Sequence, residues 1–143
     1  MSNSMDSDLA RLFATYEAAF SALDVEAAIG VFAECCMAAA PHFVGCTTSE
    51  DELRAAVTQI YEFYRRVELE SVRILALSET ALDDHYALVK VKWAAFFRKT
   101  GDEPIAFEVT YVVSRDAEQP KVILFIAHQD EQTIMRDKGL LPA

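Results

Sequence analysis

Residues 105–129 read IAFEVTYVV (105–113), SRDAEQPK (114–121) and VILFIAHQ (122–129). The outer two runs are rich in β-branched and aromatic residues, which favour strands. The polar break between them contains Asp116 and Pro120, residues typical of turns. The stretch therefore predicts a β-hairpin, and the rest of the chain must pack around it.

The two strands of this hairpin differ in how their apolar residues are distributed. The first run alternates, and one face carries Ile105, Phe107, Val109, Tyr111 and Val113. The second run is apolar on both faces, which predicts that both faces are covered. We expect helices to cover one face and a second copy of the chain to cover the other. The apolar stripe assigned to that homodimer contact is Val122, Leu124 and Ile126.

Length and composition indicate one globular domain. The chain has 143 residues, 52% of them hydrophobic, and a formal net charge of -10. We expect a single domain over residues 1–143, with residues 1–7 as a disordered tail. The acidic balance opposes contacts with phosphate groups, so neither nucleic acid nor a membrane surface is an expected partner.

The cysteines and the N-terminus bear on location and on metal binding. The N-terminal sequence MSNSMDSD is polar and does not resemble a secretory signal. Three cysteines without such a signal predict free thiols in the cytoplasm. Cys35 and Cys36 are adjacent and lack the spacing of zinc ligands, so we expect no metal there. The sequence shows no metal triad, nucleophile elbow or phosphate loop, so no cofactor is expected.

The order of elements predicts the fold class. Helices are predicted over residues 8–22, 25–34 and 50–66, the last opened by a capping box of Ser49 and Glu52. Strands are predicted over residues 36–40, 68–77 and 86–97, with a loop at 45–48, before the hairpin and a short terminal helix at 130–138. Helices first and antiparallel strands last indicate an α+β fold, with three N-terminal helices on one face of a curved sheet.

The inward stripes of these elements predict a ligand pocket inside a cone. Its expected walls are aromatic, with Gln129 at the rim, and its polar groups are two tyrosines. The predicted pocket residues are Tyr16, Phe20, Phe32, Tyr64, Trp93, Tyr111, Phe125 and Gln129. Such a site suits a flat apolar ligand that carries one carbonyl or hydroxyl group.

The chain resembles the nuclear transport factor 2-like superfamily, which includes ketosteroid isomerases and SnoaL-like polyketide cyclases. Two short helices, a strand ending in proline, a third helix and a long-stranded meander follow one another over residues 9–141. The pattern Y-x7-D-x7-F, here Tyr16, Asp24 and Phe32, is similar to the N-terminal region of ketosteroid isomerases. The resemblance implies a cone-shaped, cystatin-like roll.

The resemblance also implies candidate catalytic residues. In ketosteroid isomerases a helix tyrosine and a strand aspartic acid donate hydrogen bonds to the substrate oxygen, and an aspartate before a proline is the base. Tyr16 stands at the helix position and Tyr111 at the strand position, but Ala40 precedes Pro41. Because a methyl group cannot accept a proton, steroid isomerisation by that route is not expected.

Two histidines are the remaining candidates for a base. Many relatives carry a histidine near the end of the last strand, where this chain has His128. The alternation of that strand, however, points His128 away from the cone if Phe125 faces it. His42 follows Pro41 near the expected pocket mouth.

Two functions remain open from the sequence. One is a small-molecule-binding protein, or a SnoaL-like or ketosteroid-isomerase-like enzyme, with an apolar pocket. The alternative is a non-catalytic, homodimeric interaction domain. An open apolar cone would favour the first function, and a filled cone would favour the second.

Overall fold

A computed structural model describes residues 8–116 and 118–142, so the tail expected at residues 1–7 lies outside the described residues. The helices there are α1 (Asp8–Ala22), α2 (Val25–Ile29), α3 (Glu50–Arg66) and α4 (Glu131–Asp137), with a 3-10 turn at Arg98–Thr100. The strands are β1 (Phe32–Ala40), β2 (Phe43–Thr47), β3 (Leu69–Ala81), β4 (Tyr86–Phe97), β5 (Ile105–Ser114) and β6 (Lys121–Ala127).

The strands form one six-stranded sheet in the order β2-β1-β6-β5-β4-β3. All neighbouring pairs are antiparallel except β1 and β6, which run parallel. Shifts of register interrupt the β3–β4 and β5–β6 pairs, and such irregularities bend a sheet. The predicted α+β class, with helices packed on a curved sheet, is confirmed.

The alternation of β4 and β5 produces the inner face of the sheet. On β4 the alternate residues from Ala87 to Phe97 are buried, and Trp93 is fully enclosed. On β5 the residues of the same parity, from Ile105 to Val113, are buried as well. These two strands therefore carry the apolar core that the helices cover.

A bulge in β6 changes which residues face the core. Val112 pairs with Leu124, but the next residue, Val113, pairs with Val122, so Ile123 is an extra residue. The bulge turns Val122 inward, where its exposed fraction is 0%. The prediction that Val122 belongs to the outer stripe is therefore wrong, whereas Leu124 lies opposite Val112 on the outer face.

The second helix is shorter than predicted, and β1 is longer. Helix α2 ends at Ile29, so the prediction of helix to residue 34 is wrong. Phe32 already pairs with Val122 in β6, and the Val122 amide donates to the carbonyl of Val31 at 3.0 Å. Glycine at position 30 weakens the helix, and the β-branched and aromatic residues that follow gain more from the sheet.

Residues 45–48 were predicted as a loop, which is wrong because β2 extends through most of them. Ala40 pairs with Phe43, which leaves Pro41 and His42 as a two-residue turn. His42 has a φ of 70°, the left-handed conformation that the third residue of a type II turn requires. The resulting β1–β2 hairpin forms one edge of the sheet.

Helix α1 is fixed against the other edge strand by side chains that bind its backbone. Ser21 Oγ donates to the carbonyl of Val72 and accepts from the amide of the same residue, both at 2.9 Å. A carboxylate oxygen of Glu17 accepts from the amide of Ile74 at 2.7 Å. These bonds satisfy backbone groups that an edge strand otherwise leaves open, and they set the position of α1. No helix within the described ranges has the length and apolarity needed to cross a bilayer.

The N-terminus of α3 provides a test of local stability. Ser49 Oγ accepts from the amide of Glu52 at 3.2 Å, and Glu52 Oε1 accepts from the amide of Thr48 at 2.8 Å. We expect Ser49→Ala to lower the free energy of unfolding by about 1 kcal/mol, because the Glu52 amide loses its acceptor. Ser49→Asp, which keeps an acceptor, should remain close to the wild type in urea denaturation. Equal stability of all three proteins would contradict the capping role.

Candidate functional site

A cleft lies between helix α3 and the β1–β2 hairpin, and its volume is about 230 Å³. Within the described residues its lining contains no charged side chain. The lining residues are Tyr16, Phe32, Cys36, Ala38, Phe43, Gly45, Cys46, Thr47, Leu53, Ala56, Val57, Ile60, Tyr61 and Phe125. The cleft is thus a mainly apolar concavity with a few neutral polar groups.

The mouth of the cleft is formed by two exposed apolar side chains. Phe43 of β2 is 59% exposed, and Ile60 of α3 is 46% exposed. A Cβ atom at Gly45 would lie only 2.8 Å from the ring of Phe43, so the ring folds over the space that this glycine leaves free. Exposed apolar groups at a concave mouth favour contact with an apolar molecule.

The floor of the cleft is a packed group of aromatic rings centred on Tyr16. Its ring meets those of Phe32, Trp93 and Tyr111 edge-on, at centroid distances of 5.2, 5.6 and 6.4 Å. Phe20 packs beside Tyr16 at 5.8 Å. These rings hold Tyr16 from several sides, so its position at the floor is well defined.

The buried hydroxyl groups behind the floor have partners, with one exception. Trp93 Nε1 donates to the hydroxyl oxygen of Tyr111 at 3.0 Å. The Tyr64 hydroxyl donates to a carboxylate oxygen of Glu131. The hydroxyl of Tyr61 is buried and has no hydrogen-bond partner among the described residues, although the Tyr61 ring lines the cleft.

Glu131 was missed by the sequence reasoning, and it is the carboxyl group closest to this tyrosine cluster. Asp130 caps α4 by accepting from Thr133, and this cap starts the helix where its first residue faces α3. Burial raises the pKa of Glu131, the hydrogen bond from Tyr64 lowers it in part, and the nearby Asp130 raises it. An acidic residue in the first turn of a helix is common, so the desolvation of Glu131 could not be predicted from the sequence pattern.

Burial also controls the protonation of the tyrosines and of Cys36. It raises the pKa of Tyr16, Tyr61, Tyr64 and Tyr111, so all four hydroxyls are protonated near neutral pH. Burial raises the pKa of Cys36 to about 12, with a further contribution from Cys35. The cleft therefore contains phenol donors, and the thiol of Cys36 is not a thiolate nucleophile near neutral pH.

The predicted pocket residues lie at different depths. Three of them, Tyr16, Phe32 and Phe125, line the cleft. Four others, Phe20, Tyr64, Trp93 and Tyr111, are buried behind it. Gln129 was placed at the rim by its parity, but its side-chain oxygen accepts from the amide of Glu108 at 2.7 Å, and it is absent from the cleft lining.

The histidines considered as bases lie outside the cleft lining. His128 Nε2 is 2.7 Å from Thr110 Oγ1, on the sheet face opposite Tyr111. His42 is exposed in the β1–β2 turn. Hydrogen bonds from Thr133 are the main cause that lowers the pKa of Asp130. Within the described ranges no group of three or more His, Cys, Asp or Glu residues could hold a metal ion.

The partly buried carboxyl group of Glu131, which accepts a hydrogen bond from Tyr64, predicts a pH dependence of stability. Because its pKa is raised in the folded state, the folded protein favours the protonated form. The stabilisation is present below the ordinary pKa of about 4.3 and is lost as the pH rises through the raised value. We therefore expect Glu131→Gln to gain stability relative to the wild type as the pH rises.

Urea unfolding across a pH series from about pH 4 to about pH 8 measures this difference. Glu62→Gln removes an exposed carboxylate from α3 and is the matched control, for which we expect the wild-type pH profile. A pH profile of Glu131→Gln parallel to that of the wild type would contradict the burial of this carboxyl group.

Comparisons with known proteins agree with this architecture. A protein of the nuclear transport factor 2-like fold from Shewanella oneidensis superposes with a TM-score of 0.69 at 15% identity, over 85% of this chain and 97% of the other. A protein with a cystatin-like fold from Nostoc punctiforme superposes with a TM-score of 0.69 at 15% identity, over 86% of this chain and 89% of the other. A ketosteroid isomerase-like protein from Erwinia carotovora atroseptica superposes with a TM-score of 0.62 at 15% identity, over 89% of this chain and 97% of the other.

At these identities the structural matches establish the fold alone. A search of curated proteins found no match. The sequence profile described as "NTF2-like protein (DUF6841)" matches residues 7–130, which is most of the chain. The predicted membership of the nuclear transport factor 2-like superfamily is confirmed, and the chain belongs to the NTF2-like protein (DUF6841) family.

Proposed function

We propose that the chain binds a small, neutral and largely apolar molecule in the cleft between α3 and the β1–β2 hairpin. The observation that carries the proposal is the lining of this cleft, which is apolar, free of charged side chains among the described residues, and open at Phe43 and Ile60. Sites of this kind bury most of a ligand's surface and orient it with few polar groups.

The proposal is binding rather than steroid isomerisation through a base before proline. Ala40 ends β1 and offers no proton acceptor at that place. The ketosteroid isomerase-like relative shares the fold at 15% identity, which does not carry an activity over to this chain. The open cleft favours ligand binding over the alternative of a filled, purely structural interaction domain.

Filling the cleft tests the proposal. Ala56 lines the cleft, whereas its neighbour Ala55 is exposed on the outer side of α3 and is not part of the lining. We expect Ala56→Phe to weaken binding of methyl naphthyl ketone at least about 10-fold, which corresponds to about 1.4 kcal/mol, because the new ring occupies the ligand volume. Isothermal titration calorimetry gives the dissociation constants.

Ala55→Phe introduces the same ring one residue away and should bind the ketone as the wild type does. Thermal unfolding of both variants shows whether each is folded. Binding by Ala56→Phe at the wild-type affinity would place the ligand elsewhere and refute the proposed cleft.

We also propose that two copies of the chain associate through the outer face of the sheet. Met37, Val44 and Ile126 are 46%, 70% and 37% exposed. Met37 pairs with Leu124, and Ala39 pairs with Val44 on one side and with Ile126 on the other, so these side chains lie side by side on the outer face. Burying each such side chain contributes about 1.5–3 kcal/mol, which favours association.

Charge placed on this patch should prevent association. We expect the double substitution Met37→Lys and Ile126→Lys to give a monomer in sedimentation velocity, where the wild type is a dimer. Leu82→Lys, at another exposed apolar residue between β3 and β4, should leave the dimer intact. A wild type that sediments as a monomer at every concentration would contradict the proposed dimer.

A further inference from the structure

The hydroxyl of Tyr61 is a buried polar group without a hydrogen-bond partner among the described residues. Tyr61 is only 3% exposed, and its ring stacks on Phe20 at a centroid distance of 5.7 Å and an angle of 20°. Its hydroxyl has no hydrogen-bond partner among the described residues, while its side chain lines the cleft. Native proteins rarely leave such a group unpaired, because its desolvation costs free energy.

We propose that the Tyr61 hydroxyl donates a hydrogen bond to the carbonyl oxygen of a neutral aromatic ketone or aldehyde of one or two rings, and thereby selects this class of ligand. The inference rests on the proposed function, because it assigns a ligand class to the same cleft. Tyr61 is therefore a specificity-determining residue, which the sequence analysis did not single out among the pocket residues.

The polar groups of the lining favour an acceptor on the ligand. Tyr16 and Tyr61 both line the cleft and carry phenol groups, and the Tyr61 hydroxyl is enclosed in the ligand-free structure. Thr47 Oγ1, by contrast, already donates to the carbonyl of Glu34 at 2.9 Å. A carbonyl oxygen has two lone pairs and can accept from both phenols. A carboxylate or an ammonium group would find no opposite charge among the described residues of the lining, and its desolvation would remain uncompensated.

The size of the cleft limits the ligand to few rings. Its volume of about 230 Å³ lies below the range of about 300–1,000 Å³ that is usual for sites of drug-sized ligands. The aromatic floor around Tyr16 and the ring of Phe43 at the mouth are suited to a flat molecule. A four-ring steroid exceeds this space, whereas a naphthalene ring with a short substituent is closer to it.

The decisive experiment compares two probes that differ in one atom group. Methyl naphthyl ketone carries a carbonyl oxygen where isopropenylnaphthalene carries a methylene group, and the two molecules have nearly the same shape. We expect the wild type to bind the ketone about 2- to 10-fold more tightly, and Tyr61→Phe to bind both probes equally. Tyr86→Phe removes an exposed phenol from the sheet and should keep the preference.

The outcomes separate this inference from the proposed function. If both probes bind the wild type equally, or if Tyr61→Phe keeps the preference for the ketone, the role of Tyr61 is refuted while the cleft still binds ligand. If neither probe binds, both proposals fail. Binding of progesterone with comparable affinity would refute the limit of one or two rings.

The ligand-free variant gives an independent readout. Because Tyr61→Phe removes an unpaired buried hydroxyl, we expect its melting temperature to equal or exceed that of the wild type. A lower melting temperature would show that the hydroxyl already has a partner in the free protein, which would overturn the inference.

Discussion

The structure depends on one constraint: polar atoms that enter an apolar interior with aromatic side chains must find partners there. Trp93 and Tyr111 satisfy each other across two neighbouring strands. The hydroxyl of Tyr64 is satisfied only because α4 returns to α3 and presents Glu131. The positions of α4 and of the long strands are thus linked to the same cluster of rings, and the hydroxyl of Tyr61 is left without a partner among the described residues.

The strongest local patterns of the sequence predicted the fold correctly. The period-two alternation of β4 and β5 needs no knowledge of distant residues, and their inward faces are buried as expected. The errors lie where a contact with residues distant in the sequence determines the local structure. Val31 and Phe32 leave the helical conformation because they meet β6, and Val122 turns inward because Ile123 is a bulge. Neither cause is visible in a window of neighbouring residues.

The candidate site was predictable to the same extent. Periodicity placed the rings of Tyr16, Phe32 and Phe125 on inward stripes, and these rings do line the cleft. Periodicity could not distinguish side chains that line the cleft from side chains buried behind it, because the depth of each side chain depends on how closely the helices approach the sheet. The role of Glu131 and the unpaired hydroxyl of Tyr61 were not predicted, because the desolvation of the first and the missing partner of the second are properties of tertiary packing.

The position of the partly buried carboxyl group of Glu131 supports the proposal that the cleft binds neutral ligands. In this chain the residue before Pro41 is alanine, and the desolvated carboxyl group nearest the tyrosines, that of Glu131, is bonded to Tyr64 and is absent from the lining of the cleft. Its negative charge contributes to the raised pKa values of Tyr16 and Tyr64, although burial is the larger cause for both. Ionisation of Glu131 therefore adds to the effect of burial, which already keeps these phenols protonated. The cleft remains a neutral hydrogen-bond donor site because its acid lies behind the aromatic rings.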